Sequence, residues 1–322
     1  MAVNQKQIAE KLGVSITLVS RVLSEKAAEI GIADETIKRV LETAKQMGYV
    51  PSAAALSLKG KATRTIGVAV YDFNDPFFGT VIQQIQVQAN EHNYSLVLAG
   101  FLHRTPDEQD LQSLHKHAID GLIIIGSDAD AQWVSRFSHL PIARIGHGSA
   151  QENSVRITID EDHAAFQLLE YLNGIGRKEI ICISGKLPAH QLRQRALKNV
   201  AQTVGLEFYA IQSAENDAYT IGRNLVRQFA EISPRADTLV CATDQIALGA
   251  IHALYEIGIT VPEDIAVTGF DDIPVSSQVI PTITTLRQPL QAMVKEAFSS
   301  VIEHAPPCEI ALKTSLIIRQ SS

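Results

Sequence analysis

The 322-residue chain is short of cysteine, tryptophan and long apolar runs, and each shortage excludes something. Its three cysteines, Cys182, Cys241 and Cys308, are far apart, odd in number and without metal-ligand spacing. Neither a disulfide framework nor a zinc site is expected, and the thiols read as reduced core residues of a cytoplasmic protein. The one tryptophan, Trp133, falls in a helical stretch with an exposed pattern and is not assigned to a ligand site. No run approaches the ~20 apolar residues of a membrane span, so no membrane partner is expected. "MAVNQKQIAEKLG" has no apolar h-region, so no secretory signal is expected there. Reactive motifs are missing too. There is no G-x-S-x-G and no H-E-x-x-H, and "SGKL" lacks both the upstream Gly and the Ser/Thr of a phosphate loop. In "HKH" the outer pair, His115 and His117, points in different directions on a helix. An enzyme is not expected, nor a metal or a cofactor.

Charge is present but uneven. Residues 1–64 hold ten Lys and Arg against six Asp and Glu, and the remainder eighteen against twenty-nine. A basic head on an acidic body suggests that only the head meets a polyanion. Random scatter is the rival reading, weakened because the sign changes where the structural pattern changes.

Residues 1–48 read as three short helices. "QKQIAEKL" places Ile8, Ala9 and Leu12 on one face, with Asn4 as its cap. After a "GVS" turn, Ser15 caps "ITLVSRVL", which buries Val19, Val22 and Leu23. "DETIKRVLETAKQMG" buries Ile37, Val40, Leu41, Ala44 and Met47, with Asp34 and Glu35 at its positive end and Gly48 as its stop. Two helices joined by a short Gly-containing turn form a helix-turn-helix.

With Val19, Val22 and Leu23 inward, Thr17, Arg21 and Ser24 face outward, Ile16 sits at the N-terminal edge and Ser15 and Ser20 flank it. Such a face suits a DNA major groove: Arg21 can grip guanine, Thr17 a base edge or thymine methyl, and Ser15 and Ser20 phosphates. A solvated helix face with no partner is the other reading, and helix geometry alone does not separate them.

Beyond residue 61, "TIGVAV", "YSLVLAG", "DGLIIIG" and "PIARIG" are apolar runs with helical stretches between them. The order repeats in "EIICISG", "LEFYAIQ", "TLVCATD" and "DIAVTGFDD". This predicts an α/β core of two doubly wound parallel sheets with a ligand cleft between two lobes. The expected domains are a head at 1–49, a linker at 50–61 and a core at 62–322. Lobe 1 takes about 62–160 plus 290–322, and lobe 2 about 161–289.

"KQIAEKLGVSITLVSRVL", "DETIKRVLETAKQMGYVPSAAALSLKG", "DGLIIIGS", "ATDQIALGAIHALYEIGITVPEDIAVTGFDD", "PTITTLRQP" and "LKTSLIIR" together resemble the LacI/GalR family of bacterial transcription regulators over nearly the whole chain. The resemblance implies a homodimer or tetramer with an N-terminal DNA head, a hinge helix and a core like periplasmic sugar-binding proteins. It places Ile16, Thr17 and Arg21 at base-contacting positions. Leu18 stands where the family usually has Thr, Ser24 where it has Asn, and Ala33 where it has a Ser cap. The connection over 24–35 is longer than usual.

The stretch "SAAALSLKG" is built of helix formers behind a capping Ser52, yet is far shorter than the ~12–15 residues needed for stability in water. It is expected to fold only when covered, with its mate, in a minor groove. By resemblance Leu58 is the wedge between base steps beside the basic Lys59, and Ser52 and Ala55 belong to the same DNA-binding hinge. Leu56 replaces the usual Arg and is expected to pack on a dimer mate or the core. An inert Ala-rich spacer is the rival reading.

For the cleft, the resemblance places Phe77 and Phe78 over the ligand and Arg195 as the gripping arginine, with His190 and Gln191 nearby. Ser127, His147, Asp244 and Asp271 follow strand ends. Bland readings stay open: core for Phe77 and Phe78, caps for Asp244 and Asp271, a solvated loop for His147. Lys198 and Asn199 replace the family's Gly-Phe pair. The expected function is a DNA-binding regulator, a repressor controlled by a small metabolite, with a sugar or sugar derivative preferred. Its partners are a pseudo-palindromic operator, a carbohydrate effector and a second copy. The alternatives are a cytoplasmic sugar-binding or sugar-modifying protein with a vestigial head, or a regulator answering to a nucleoside or a protein corepressor.

Overall fold

A computed structural model describes residues 3–24, 31–49, 56, 60–101, 104–126, 132–148, 153–232 and 236–322. The chain divides into two compact units, Met1–Thr63 and Arg64–Ser322.

In the first unit, α1 (Gln5–Leu12), α2 (Ile16–Leu23) and α3 (Asp34–Gln46) enclose a small core of Ile8, Ala9, Val19, Val22, Val40 and Ala44. Asn4 forms a reciprocal capping box with Gln7, satisfying two N–H groups that the first turn leaves open. Gly13 ends α1 at φ 67°, a left-handed conformation that costs glycine nothing. Ala33 precedes α3 with no side-chain cap. Leu41, expected inside, is 47% exposed. It lies one residue from Val40, and a 100° step carries it off the buried stripe.

The second unit is built on two six-stranded sheets. The first has the order β11 (Glu309–Leu312), β5 (Val155–Ile159), β4 (Ile142–Ile145), β3 (Gly121–Ile125), β1 (Thr65–Val70), β2 (Ser95–Gly100), and its strand pairs are parallel. The second has the order β12 (Ser315–Ile317), β10 (Thr284–Arg287), β9 (Ala266–Asp271), β8 (Thr238–Cys241), β6 (Glu179–Ser184), β7 (Glu207–Gln212), with only β12 antiparallel. Strands β1, β3, β8 and β9 are buried along their whole length. That is why they read as unbroken apolar runs: helices cover both faces of a parallel sheet. Strands β5, β10, β11 and β12 carry no such run and were not anticipated.

Helices α4 (Pro76–Glu91), α5 (Glu108–Lys116) and α10 (Leu290–Ile302) serve the first sheet. Helices α6 (Glu161–Gly174), α7 (Pro188–Val204), α8 (Ala218–Ile232) and α9 (Asp244–Glu256) serve the second. The chain therefore passes between sheets three times, after β5, after β10 and after β11. The expectation that 290–322 belongs to the first lobe needs correction at its end. Strand β12 pairs with β10, and Ser321 is fully buried, donating its hydroxyl to the Val267 carbonyl at 2.5 Å. Two surface expectations also change. Trp133 is 5% exposed and packs edge-on against Phe101, whereas Cys308 is exposed. Among the described residues, no helix is long and apolar enough to cross a membrane.

Candidate functional site

Two sites are described separately, one in each unit. In the first, Ser15 caps α2 by accepting the Leu18 N–H at 3.2 Å. With Val19 and Val22 turned inward, Ser15, Ile16, Thr17 and Arg21 are left exposed on one side, Ile16 by 47%. Ser20 is half-buried. Ser24 does not continue this face. It is the C-cap residue, and its hydroxyl donates back to the Ser20 carbonyl at 2.6 Å. Its own carbonyl accepts from Lys61 Nζ at 2.9 Å. The helix has ended by residue 24, so an outward angle extrapolated at 100° per residue no longer applies. The expected hinge residues Ser52, Ala55, Leu58 and Lys59 lie outside the described residues. Leu56 is described: it is half-buried, and its carbonyl accepts the Lys61 N–H at 3.0 Å.

In the second unit, two joined chambers open where strand ends of the two sheets meet. The outer has a volume of about 590 Å³ and the inner about 90 Å³. Tyr71, Asp75, Phe78, Leu187, His190 and Thr243 line both. Asp75 caps α4 by accepting the Phe77 N–H at 2.9 Å, which fixes the start of that helix. Phe77 and Phe78 then meet edge-to-face, 5.5 Å between centroids, and both line the inner chamber.

Across from this lobe, α7 supplies His190 and Arg193. The guanidinium of Arg193 is gripped at two points by Glu161, Nε to Oε2 and Nη2 to Oε1, each at 3.2 Å. Nη1 donates to the Ala242 carbonyl, and the plane lies 3.2 Å above the Phe270 ring centroid. His190 accepts the Gly185 N–H on Nδ1 at 3.1 Å. Burial, helped by the charge of Arg193, pushes its pKa down to about 3, so the ring is neutral and its proton sits on Nε2. Asp271 ends β9 at φ 108° and accepts from Gln288 Nε2 at 2.6 Å; burial raises its carboxyl well above the usual range. His147 lines the inner chamber half-buried, and burial lowers its pKa. Thr158, Glu161 and Gln288 of the lining sit at two of the crossings between sheets.

Of the residues expected in the cleft, Phe77, Phe78, His147, His190 and Asp271 line it. Three do not. Arg195 is exposed and lines neither chamber; Arg193 takes the place expected of it. Two residues are 200° of helix, so the two side chains point to opposite sides. The stripe His190, Arg193, Leu197, Ala201 is buried, and its 3–4 spacing was the signal that separates them. Gln191 is exposed and donates to the Lys186 carbonyl at 3.2 Å. Asp244 is fully buried at the start of α9, accepting the Ile273 N–H at 2.9 Å and the Thr285 hydroxyl at 2.6 Å. Burial pushes its carboxyl up to about 7. Gly269 makes room for it: a Cβ there would lie 2.1 Å from Asp244 Oδ1. Asp244 thus braces the β9–β10 end of the sheet from beneath. Ser127 lies outside the described residues. Glu161, Arg193 and Gln288 were missed, because their proximity depends on the crossings between sheets.

Comparison with known proteins adds to this geometry. Residues 5–52 match the family model described as bacterial regulatory proteins, lacI family, and residues 169–322 one described as a periplasmic binding protein-like domain. The chain is 28% identical over 308 residues to the HTH-type transcriptional repressor PurR of Vibrio cholerae, covering 92% of this chain and 90% of that one. It is 28% identical over 332 residues to the HTH-type transcriptional repressor CytR of Escherichia coli, covering 100% and 96%. Among solved structures, the Lac repressor dimer bound to operator and the anti-inducer ONPF superposes with a TM-score of 0.83 at 23% identity, covering 100% of this chain and 99% of that one.

Proposed function

We propose, for a chain that belongs to the LacI family of bacterial regulatory proteins, that it is a transcriptional repressor whose hold on operator DNA is set by a small ligand in the cleft. The observation that carries the reading is α2. Its buried side builds the core of the head, while Ile16, Thr17 and Arg21 stand free of that core on an exposed face. A residue kept for packing would be inside. An exposed Ile beside an Arg suits thymine-methyl contact and a two-point grip on guanine O6 and N7. Two copies would place two such helices on a pseudo-palindromic site.

The ligand is a sugar or sugar derivative. Phe77 and Phe78 offer an aromatic wall for C–H faces, and Thr158, Arg193, Asp271 and Gln288 offer groups that orient hydroxyls. A ligand that prefers one arrangement of the lobes shifts that equilibrium, and DNA affinity moves with it.

The test is a mobility-shift assay on DNA flanking the gene, with a thermal-shift screen of sugars, sugar acids and nucleosides. The expected outcome is sequence-specific binding that one ligand class changes, and a melting temperature that the same class raises. Binding with no sequence preference, in the presence and absence of every ligand, overturns the reading.

A further inference from the structure

Among the described residues, one arginine lies on the wall of the inner chamber, and most of its donors are committed. Five N–H groups radiate from a guanidinium, and its two-point edge is what a phosphate or carboxylate grips. In Arg193 that edge, Nε and Nη2, is filled by the two oxygens of Glu161, at 3.2 Å each. A third N–H goes to the Ala242 carbonyl, and a flat face is covered by Phe270. Two N–H groups are left over, one on Nη1 and one on Nη2; they can bond a neutral hydroxyl, but the charge behind them is already neutralised by Glu161. The other acidic or basic side chains of the inner wall are Asp75, Asp271 and two histidines, His147 and His190.

The outer chamber repeats the pattern. Arg104 is held by both oxygens of Asp110, at 2.6 and 2.8 Å. Lys186 is exposed, and it shares the lining with Asp72, Glu215 and Asp217. Among the described residues, carboxylates outnumber cations in both chambers, and each arginine is matched to a carboxylate of its own. A ligand bearing fixed negative charge would meet net repulsion from these walls, because the charge of each arginine is already spent on its own carboxylate.

We infer that Glu161 sets the charge class of the cleft: by occupying the Nε/Nη2 edge of Arg193 and neutralising its charge, it admits uncharged, hydroxyl-bearing ligands and excludes phosphorylated and carboxylated ones. This rests on the cleft being the effector site, and it narrows "sugar or sugar derivative" to neutral polyhydroxy compounds. Glu161 touches the specificity of the site through Arg193, so its removal should invert the preference rather than merely weaken binding.

The experiment uses the full chain with sulfate as the probe, against sodium chloride at equal ionic strength, in thermal-shift and calorimetric titrations. Four proteins are compared: wild type, Glu161→Gln, Arg193→Met and the double variant. Sulfate held by the head affects all four equally. The expected result is that Glu161→Gln gains sulfate affinity of at least ~10-fold over wild type, the scale of one freed charge-assisted hydrogen bond. The double variant should lose that gain, and Arg193→Met should match wild type. Sulfate stabilisation in wild type that Arg193→Met removes overturns the inference, as does a Glu161→Gln protein that gains nothing.

A wild-type arm guards against variants that fail to fold. Glucose and glucose 6-phosphate, cellobiose and cellobiose 6-phosphate, and adenosine and adenosine 5′-phosphate are titrated as matched pairs. No phosphorylated member should bind more tightly than its neutral partner; one that does overturns the inference. Failure here leaves operator binding untouched, whereas loss of operator binding with this sulfate pattern intact would sink only the regulatory reading.

Discussion

Replacing Arg193 with methionine should be among the most damaging single changes in the core unit. The side chains of Arg193 and Glu161 are 9% and 10% exposed, so water screens the pair little. Arg193→Met removes two charge-assisted hydrogen bonds, the bond to the Ala242 carbonyl and the stacking on Phe270. It leaves Glu161 buried and unpaired. Stranding one member of a buried pair costs about 3–5 kcal/mol, most of it the penalty on the survivor rather than the worth of the pair. At ~2–4 °C per kcal/mol for a unit of this size, the melting temperature should fall by roughly 6–20 °C. The double variant Glu161→Met, Arg193→Met removes both charges and should recover most of the loss, because apolar replacement of a whole buried pair is close to neutral. Urea unfolding followed by Trp133 reads this directly, since the one tryptophan is buried in the same unit. The measured quantity is the coupling in the double-mutant cycle, expected at about 2 kcal/mol or more. A single variant costing under ~1 kcal/mol, with coupling near zero, would show that Glu161 is solvated and that the pair does not hold the cleft wall.

Other perturbations probe separate parts of the argument. Arg21→Ala should weaken operator binding by ~10- to 100-fold in a mobility-shift assay while head stability stays within about 0.5 kcal/mol, because the side chain is exposed. Ser15→Ala removes the cap on the Leu18 N–H and should destabilise the head by about 1 kcal/mol in urea unfolding. Gly269→Ala would set a methyl 2.1 Å from Asp244 Oδ1 and drive that carboxylate off Ile273 and Thr285; a core destabilised by about 2–4 kcal/mol is expected. His190 has a pKa of about 3 in the fold against ~6.5 unfolded, so its stabilisation is full above pH 6.5 and is lost as pH falls toward 3. Asp271, raised by burial, slopes the other way, so the informative comparison is between variants. From pH 7 to 5, His190→Gln should gain about 2 kcal/mol relative to wild type; parallel pH curves would refute the neutral, buried imidazole.

Local pattern was enough wherever one element carries its own solution. Each of the three head helices has its stripe, and α1 and α2 have a capping side chain as well. Eight strands were legible as apolar runs between turn residues; six of them are buried nearly throughout, whereas β2 and β7 lie at sheet edges and are partly exposed. Asp75 at the head of α4 is a local solution of the same kind, since it caps the N–H only two residues on. The four missed strands differ. Strand β11 alternates exposed and half-buried residues, and β12 is three residues long, so neither announces itself. They exist because a neighbouring strand has an open edge for them to pair with.

By itself, the sequence determined the exposed face of α2 and the two-sheet architecture of the core, because the first follows from a 3.6-residue period and the second from apolar runs that alternate with helical stretches. It also pointed to the region of α7 that lines the cleft. Which arginine of that helix enters the cleft was decided by rotation about its axis, with 200° separating Arg193 from Arg195. That Glu161 neutralises Arg193 was decided by tertiary structure alone, since the two are 32 residues apart and meet only where the chain has passed from one sheet to the other. Asp244 shows the same limit from the other side: its position after a strand suggested a ligand, and the glycine opposite, Gly269, drew it beneath the sheet instead. Charge, hydrogen-bond commitment and direction are properties of neighbours, and those neighbours are assembled only by the fold.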